Sequence, residues 1–187
     1  MNNARSAALT ALLHVDVNEG YSNIVLDKTL SAFSLDQRDK ALVSAIFYGV
    51  LERRSTLDYI IGQFSKTSVH KMSAQVLEIL RMGVYQILYL EKIPKSAAVN
   101  ESVNLAKENE AVKASGFINA VLRALLRNID HIQMPDSDKE PLLYLSVKYS
   151  CPEWLIALWQ EAYGKECTSS LLKSAFHKPP IFARVNN

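Results

Sequence analysis

Arg123 and Arg127 stand four residues apart, a spacing that puts two guanidinium groups on one face of a helix. From Ala111 to Ile129 there are three basic residues, Lys113 with those two arginines, and no acidic one. Arg5, the doublet Arg53-Arg54 and Lys95 carry further positive charge elsewhere. A guanidinium is a planar fork that matches phosphate oxygens, and an aromatic such as Phe117 can stack on an unpaired base. Together these residues compose a candidate RNA-binding surface. Taken singly, each arginine reads as a solubilising charge and Phe117 as core packing.

Other chemistry lacks its residues. The glycines stand at 20, 49, 62, 83, 116 and 164, too far apart for the glycine-rich turn that holds a nucleotide or S-adenosylmethionine. There is no Walker A sequence. The histidines at 14, 70, 131 and 177 are dispersed, and no HExxH occurs, so no metal site is expected. Cys151 and Cys167 show no partner base, which a nucleophilic thiol needs. Glu108 and Glu110 are two apart and point away from each other on a helix. This stretch is therefore read as non-catalytic.

The bulk composition sets the frame. The 187 residues are 49% hydrophobic and 21% charged, which excludes a disordered chain. Gly 6 and Pro 6 exclude collagen-like and low-complexity readings. Lys+Arg 21 against Asp+Glu 19 means that any nucleic-acid site must be a local patch. No apolar run approaches the ~18 residues of a membrane span, and the N-terminal stretch lacks a signal-peptide pattern. With two cysteines, a reducing, cytoplasmic setting is expected.

The elements that must position the cations read as helices. The first proline is Pro94. Ala4, Ala8, Ala11, Leu12 and Val15 recur at helical spacing, and Asn18-Glu19-Gly20 ends that helix. A short helix spans Ile24–Phe33. Ser34-Leu35-Asp36-Gln37 has the form of a capping box opening a third helix, with Leu42, Ala45, Ile46, Gly49 and Val50 on one face. Gly49 in a helix interior suits a close helix contact. Arg53-Arg54-Ser55 interrupts, and Leu57, Ile60, Ile61 and Phe64 continue. Lys66–Lys71 reads as a loop. Ser73–Leu90 is apolar around most of its circumference, so it is expected to be central and buried. Lys95 follows Pro94 in a loop. Ala97–Glu108 and the run from Phe117 through Leu125 are further helices.

Asp130–Pro141 changes character, with two prolines and a charge cluster. The expected organisation is a helical domain over 1–130, a linker over 131–141 and a truncated helical segment over 142–187. In that last segment Leu142–Tyr149 is a short helix, and Leu155, Leu158, Trp159 and Ala162 form an amphipathic face that Gly164 stops. Thr168–Phe176 is helical again. Ile181–Val185 alternates like half a strand, and a lone strand is not stable. The chain is therefore expected to continue into a further domain.

The stretch from Leu80 to Leu90, followed by Ile93-Pro94-Lys95-Ser96-Ala97-Ala98-Val99-Asn100-Glu101-Ser102-Val103-Asn104-Leu105-Ala106-Lys107, resembles the signature of NusB-like domains. Gly116-Phe117-Ile118-Asn119-Ala120-Val121-Leu122-Arg123 resembles that family's last core helix. Arg5 with Ala8 and Leu12, and Arg38-Asp39 through Tyr48-Gly49-Val50-Leu51, resemble its earlier helices. The resemblance covers roughly 4–128. It implies an all-α fold: a NusB-like helical bundle, a linker, and a small helical segment leading into a missing α/β domain.

NusB-like domains occur as free antitermination factors and as the N-terminal domain of ribosomal RNA small-subunit cytosine-C5 methyltransferases. Arg123, the continuation past the bundle, and the stretches Tyr149–Leu155 and Pro179–Asn186 resemble the second setting. The resemblance then implies an RNA-binding, non-catalytic N-terminal region of a 16S rRNA (cytosine-C5) methyltransferase. S-adenosylmethionine would serve the parent protein and no cofactor this region. Implied partners are small-subunit ribosomal RNA and the protein's own C-terminal methyltransferase domain, with a ribosomal protein as a further candidate. The alternative is a NusB-type antitermination adaptor that binds RNA and a ribosomal protein. By resemblance, Phe117 and Asn119 lie near RNA or the protein partner, and Arg5 matches the basic start of the first helix. Asn100 and Glu101 also match, with structural roles open to them: Asn100 bonding backbone, Glu101 pairing with an arginine. The site residues expected are thus Arg5, Arg53, Arg54, Lys95, Phe117, Asn119, Arg123 and Arg127.

Overall fold

The computed structural model describes residues 3–18, 21–109, 111–175 and 182–183. Among them are nine α-helices, three short 3-10 turns and no strand. They run α1 (Ala4–Asn18), α2 (Ser22–Ala32), α3 (Gln37–Glu52), α4 (Arg54–Phe64), α5 (Ala74–Tyr89), α6 (Lys95–Lys107), α7 (Ser115–Arg127), α8 (Pro141–Tyr149) and α9 (Glu153–Ser174). The chain divides into two compact units, 1–133 and 134–187.

The first unit is built around α5. Ser73 caps it, its side chain accepting from the Val76 N–H at 3.4 Å. Val76, Ile79, Leu80, Met82, Val84 and Ile87 are buried. The helix packs against α1, α3, α4, α6 and α7, which explains why so little of its surface is polar. Gly49 of α3 sits against Tyr85, and a Cβ there would overlap the phenol end of the tyrosine. A Cβ on Gly83 would lie 2.7 Å from Leu122 and 2.9 Å from the Ser102 hydroxyl, so glycine lets α5 approach both α6 and α7.

Several details depart from the sequence pattern. The N-cap of α3 is Asp36, whose carboxylate accepts from the Asp39 N–H at 2.7 Å, and the helix starts after Ser34. The buried face of α3 runs through Val43, Ile46, Phe47 and Val50, leaving Ala45 exposed, because the larger side chains take the core. Arg53, at φ −120°, breaks the run between α3 and α4. Lys95 is the first residue of α6, not part of a loop, since Pro94 fits the position just before a helix.

In the second unit Pro141 opens α8 and Ser150 ends it in the left-handed region at φ 48°. At Gly164 the backbone leaves the helical region, so α9 is two helical stretches that meet there, as the expected stop and the helical run from Thr168 require. The Gly164 φ of 79° is a conformation that glycine tolerates, and the second stretch runs to Ser174. Leu158 and Ala162, expected on the inner face, are exposed. Most of the Ile181–Val185 alternation lies outside the described residues. Among the described residues no helix is long and apolar enough to cross a membrane.

Candidate nucleic-acid interface

Helices α6 and α7 pack side by side. On α6, Asn100, Asn104 and Lys107 fall at spacings of four and three, so they share one face. On α7 the first turn and the next two supply Ser115, Gly116, Asn119 and Arg123. With Val103 these residues line a groove of about 520 Å³. Among the described residues that line it, Lys107 and Arg123 are cations and none is a carboxylate. Asn100, Asn104, Lys107 and Arg123 are exposed.

The geometry holds Arg123 in place. Its Nε–H donates to the Asn119 side-chain oxygen at 2.8 Å, an i,i+4 bond along α7. That bond uses Nε alone, so the terminal nitrogens keep donors of the kind that fit phosphate oxygens. At Gly116 a Cβ would meet nothing within 4 Å. Packing therefore does not require glycine there, and bare backbone opens the groove to close approach.

The other cations expected at the site sit differently. Arg5 is largely buried: its Nε–H donates to Gln86 Oε1 at 2.8 Å, and its Nη1 lies 3.6 Å from Glu101 Oε2. It ties α1 to α5 and α6, and Glu101 does pair with an arginine. Arg54 donates to the fully buried Glu78 at 3.0 Å. Arg53 lies over the ring of Tyr89, 4.5 Å from its centroid, and Tyr89 stacks on Tyr85 at 5.4 Å. Lys95 and Arg127 are exposed at the two ends of their helices. Phe117 is half-buried and packs against the hydrophobic core. Of the eight expected residues, the groove brings together Asn119 and Arg123.

Glu78 belongs to a buried ionic cluster. Arg81 donates to it, and also to Asp58 from Nε at 2.7 Å and from Nη2 at 2.6 Å. Burial works to lower the Arg81 pKa. Hydrogen bonds and charge from Asp58 and Glu78 outweigh it, and the guanidinium is held above its ordinary range. A carboxylate without solvent contact needs such partners, since unpaired burial of charge is costly. In the second unit, burial pushes the Cys151 thiol up, away from the reactive thiolate form.

Sequence reasoning placed Asn104 and Lys107 in the family signature without naming them as site residues, and read Asn100 only as a candidate for a structural role. The signal was present: the 100–104–107 spacing is a polar stripe on a helix whose other face carries Ala98, Val99, Leu105 and Ala106.

The NusB family model matches residues 2–127. The chain belongs to the NusB family. That match ends with α7, whereas curated relatives align further. A Bacillus subtilis (strain 168) protein named "Probable ribosomal RNA small subunit methyltransferase B" is 33% identical over 97% of this chain and 40% of its own length. An Escherichia coli (O1:K1 / APEC) protein named "Ribosomal RNA small subunit methyltransferase B" is 30% identical over 98% of this chain and 41% of its own. The chain thus spans about 40% of the length of the curated relatives it matches. A chain from the solved structure "Crystal Structure of a Plectonemic RNA Supercoil" shares the fold, with a TM-score of 0.64 at 19% identity, over 70% of this chain and 96% of that one. The NusB family bundle is therefore the fold of the first unit.

Proposed function

We propose that this chain is the RNA-gripping region of a longer S-adenosylmethionine-dependent ribosomal RNA (cytosine-C5) methyltransferase, and that it does no methyl transfer by itself. The observation that carries the reading is the extent of the relatives. They bear a ribosomal RNA methyltransferase name and align across nearly all of this chain, including α8 and α9, beyond the NusB family match at 127. A free antitermination adaptor would have no need of that second unit.

The α6–α7 groove is the contact surface of this proposal. Lys107 and Arg123 meet backbone phosphate, and the amides of Asn100, Asn104 and Asn119 offer paired donors and acceptors to base edges or ribose hydroxyls. Gly116 lets the strand come close. Arg127, Lys113 and Lys95 extend the positive field around the groove, and Asn119 orients Arg123. The partner is small-subunit ribosomal RNA, in a cytoplasmic setting.

S-adenosylmethionine, the donor implied for the parent enzyme, does not fit the described residues. A cradle for it needs a glycine-rich turn at the end of a parallel strand. Here the described glycines stand apart from one another, within helices or, for Gly164, at the break in α9, and the described residues form no strand. This chain's residues are therefore assigned binding and orientation of RNA, with the chemistry in the remainder of the protein.

The test compares the full-length protein with residues 1–187 on a small-subunit ribosomal RNA transcript and labelled S-adenosylmethionine. The full-length protein should label cytosine, and residues 1–187 should bind the RNA without labelling it. Methyl transfer by residues 1–187, or no RNA binding by either protein, would overturn the reading.

A further inference from the structure

We propose that the exposed apolar face of α9, centred on Trp154 and Leu158, is a docking surface for the part of the longer protein that lies outside this chain. The inference rests on the reading of this chain as part of a longer methyltransferase. It adds to that reading the surface through which the two parts hold each other.

The apolar residues of α9 run round the helix from Trp154 and Leu158 through Ala162, Leu155 and Trp159 to Ile156, more than half its circumference. One neighbouring helix covers a narrower stripe than that. In the second unit α8 packs on α9, and Ile156 is fully buried. Leu155 and Trp159 are half-covered. At the far edge Trp154 is 69% exposed and Leu158 52% exposed, with Ala157 and Ala162 open beside them. A tryptophan that exposed, next to an exposed leucine one turn on, is an unfilled interface rather than scatter. The unit cannot fill it alone. Among its described residues only Val147, Ile156 and Leu172 are buried hydrophobics, and a segment this small cannot bury both faces of its helices.

Area and tethering select the occupant. The open face offers on the order of 300 Å² of apolar surface. A stable dimer needs about 800 Å² from each partner, so a second copy of this chain is a poor match. A covalently linked segment needs far less, because the tether supplies a high effective concentration. The relatives match nearly the whole of this chain with only 40–41% of their own length, so a longer protein has ample chain to seat there. Exposed Glu153 and Glu161 flank the face. The fitting element is thus an apolar surface with a basic side chain at its edge.

Hydroxyl-radical footprinting of the full-length protein against residues 1–187 tests this. Oxidation of Trp154 and Leu158 should fall several-fold in the full-length protein, and Leu158→Asp in that protein should restore oxidation at Trp154. Because Leu158 is exposed in this chain, the substitution leaves residues 1–187 folded, with unchanged helical content by circular dichroism. Equal labelling in the two proteins overturns the docking surface alone. Protection already present in residues 1–187 also overturns it: with doubled mass the occupant is a second copy, and as a monomer it is the chain's own first unit. A native protein no longer than this chain would overturn the parent-enzyme reading, and this inference with it.

Discussion

The cations at the α4–α5 contact and those along the α6–α7 groove look alike in the sequence. Both are arginine-bearing stretches beside aromatic residues. In the fold they do opposite work. Arg54 and Arg81 close on Glu78 and Asp58, whereas Lys107 and Arg123 line a groove without a carboxylate among its described residues. The difference is what each cation faces. A guanidinium that neutralises a buried carboxylate is part of the core, and one held by a neutral amide keeps its charge for a ligand.

Substitutions should separate the two regions. Arg81→Ala takes from Asp58 both of its bonds to Arg81 and from the buried Glu78 one of its two arginines, and chemical denaturation should report a loss of about 3–5 kcal/mol, the usual result of breaking a buried ion pair. Arg54→Ala leaves Glu78 with Arg81 as partner, so the loss should be about 1.5–3 kcal/mol. Arg123→Ala should shift stability by no more than about 0.5 kcal/mol, while RNA affinity falls about tenfold, ~1.4 kcal/mol. Gly116→Ala sharpens the contrast further. It should leave stability unchanged or raise it by up to about 1 kcal/mol, yet weaken RNA binding by filling the groove. If Gly116→Ala bound RNA normally, close approach at that backbone would be excluded.

The smallest effect lies in the turn that leads to α8. Asp136 accepts backbone hydrogen bonds from Asp138 at 2.9 Å and Lys139 at 3.2 Å, and these hold its carboxyl below the ordinary range. A depressed folded value means the turn is favoured above the unfolded carboxyl's value and loosens as pH falls through the folded one. Carboxyl NMR titration should give Asp136 a midpoint below the ordinary ~3.9. A midpoint at or above that value would mean the turn does not persist in solution.

Local signals carried much of the fold. Ser73 before an apolar run marked α5, and the density of apolar residues in it marked a central helix. Gly49 marked a close approach, which Tyr85 supplies. The capping box at Ser34 failed because Asp36, two residues on, is a competing cap that the pattern cannot rank. The face of α9 was misjudged for a different reason: periodicity says which residues could be buried, not whether a partner is there to cover them. The site was less legible. Arg54 donates to Glu78, 24 residues away in the sequence and fully buried. Such long-range pairing is invisible to spacing rules, so Arg54 looked available. Lys107 was overlooked because it was read as the end of a core helix rather than with Asn100 and Asn104.

The most direct test is the salt dependence of binding between this protein and single-stranded small-subunit ribosomal RNA, for wild type, Lys107→Ala and Arg123→Ala. Each cation that meets phosphate contributes about 0.7 to the slope of log affinity against log salt on single strands. Each substitution should flatten the slope by about that amount, with thermal unfolding unchanged. A slope that both variants leave intact would contradict the account, and the groove between α6 and α7 would not be where this chain holds RNA.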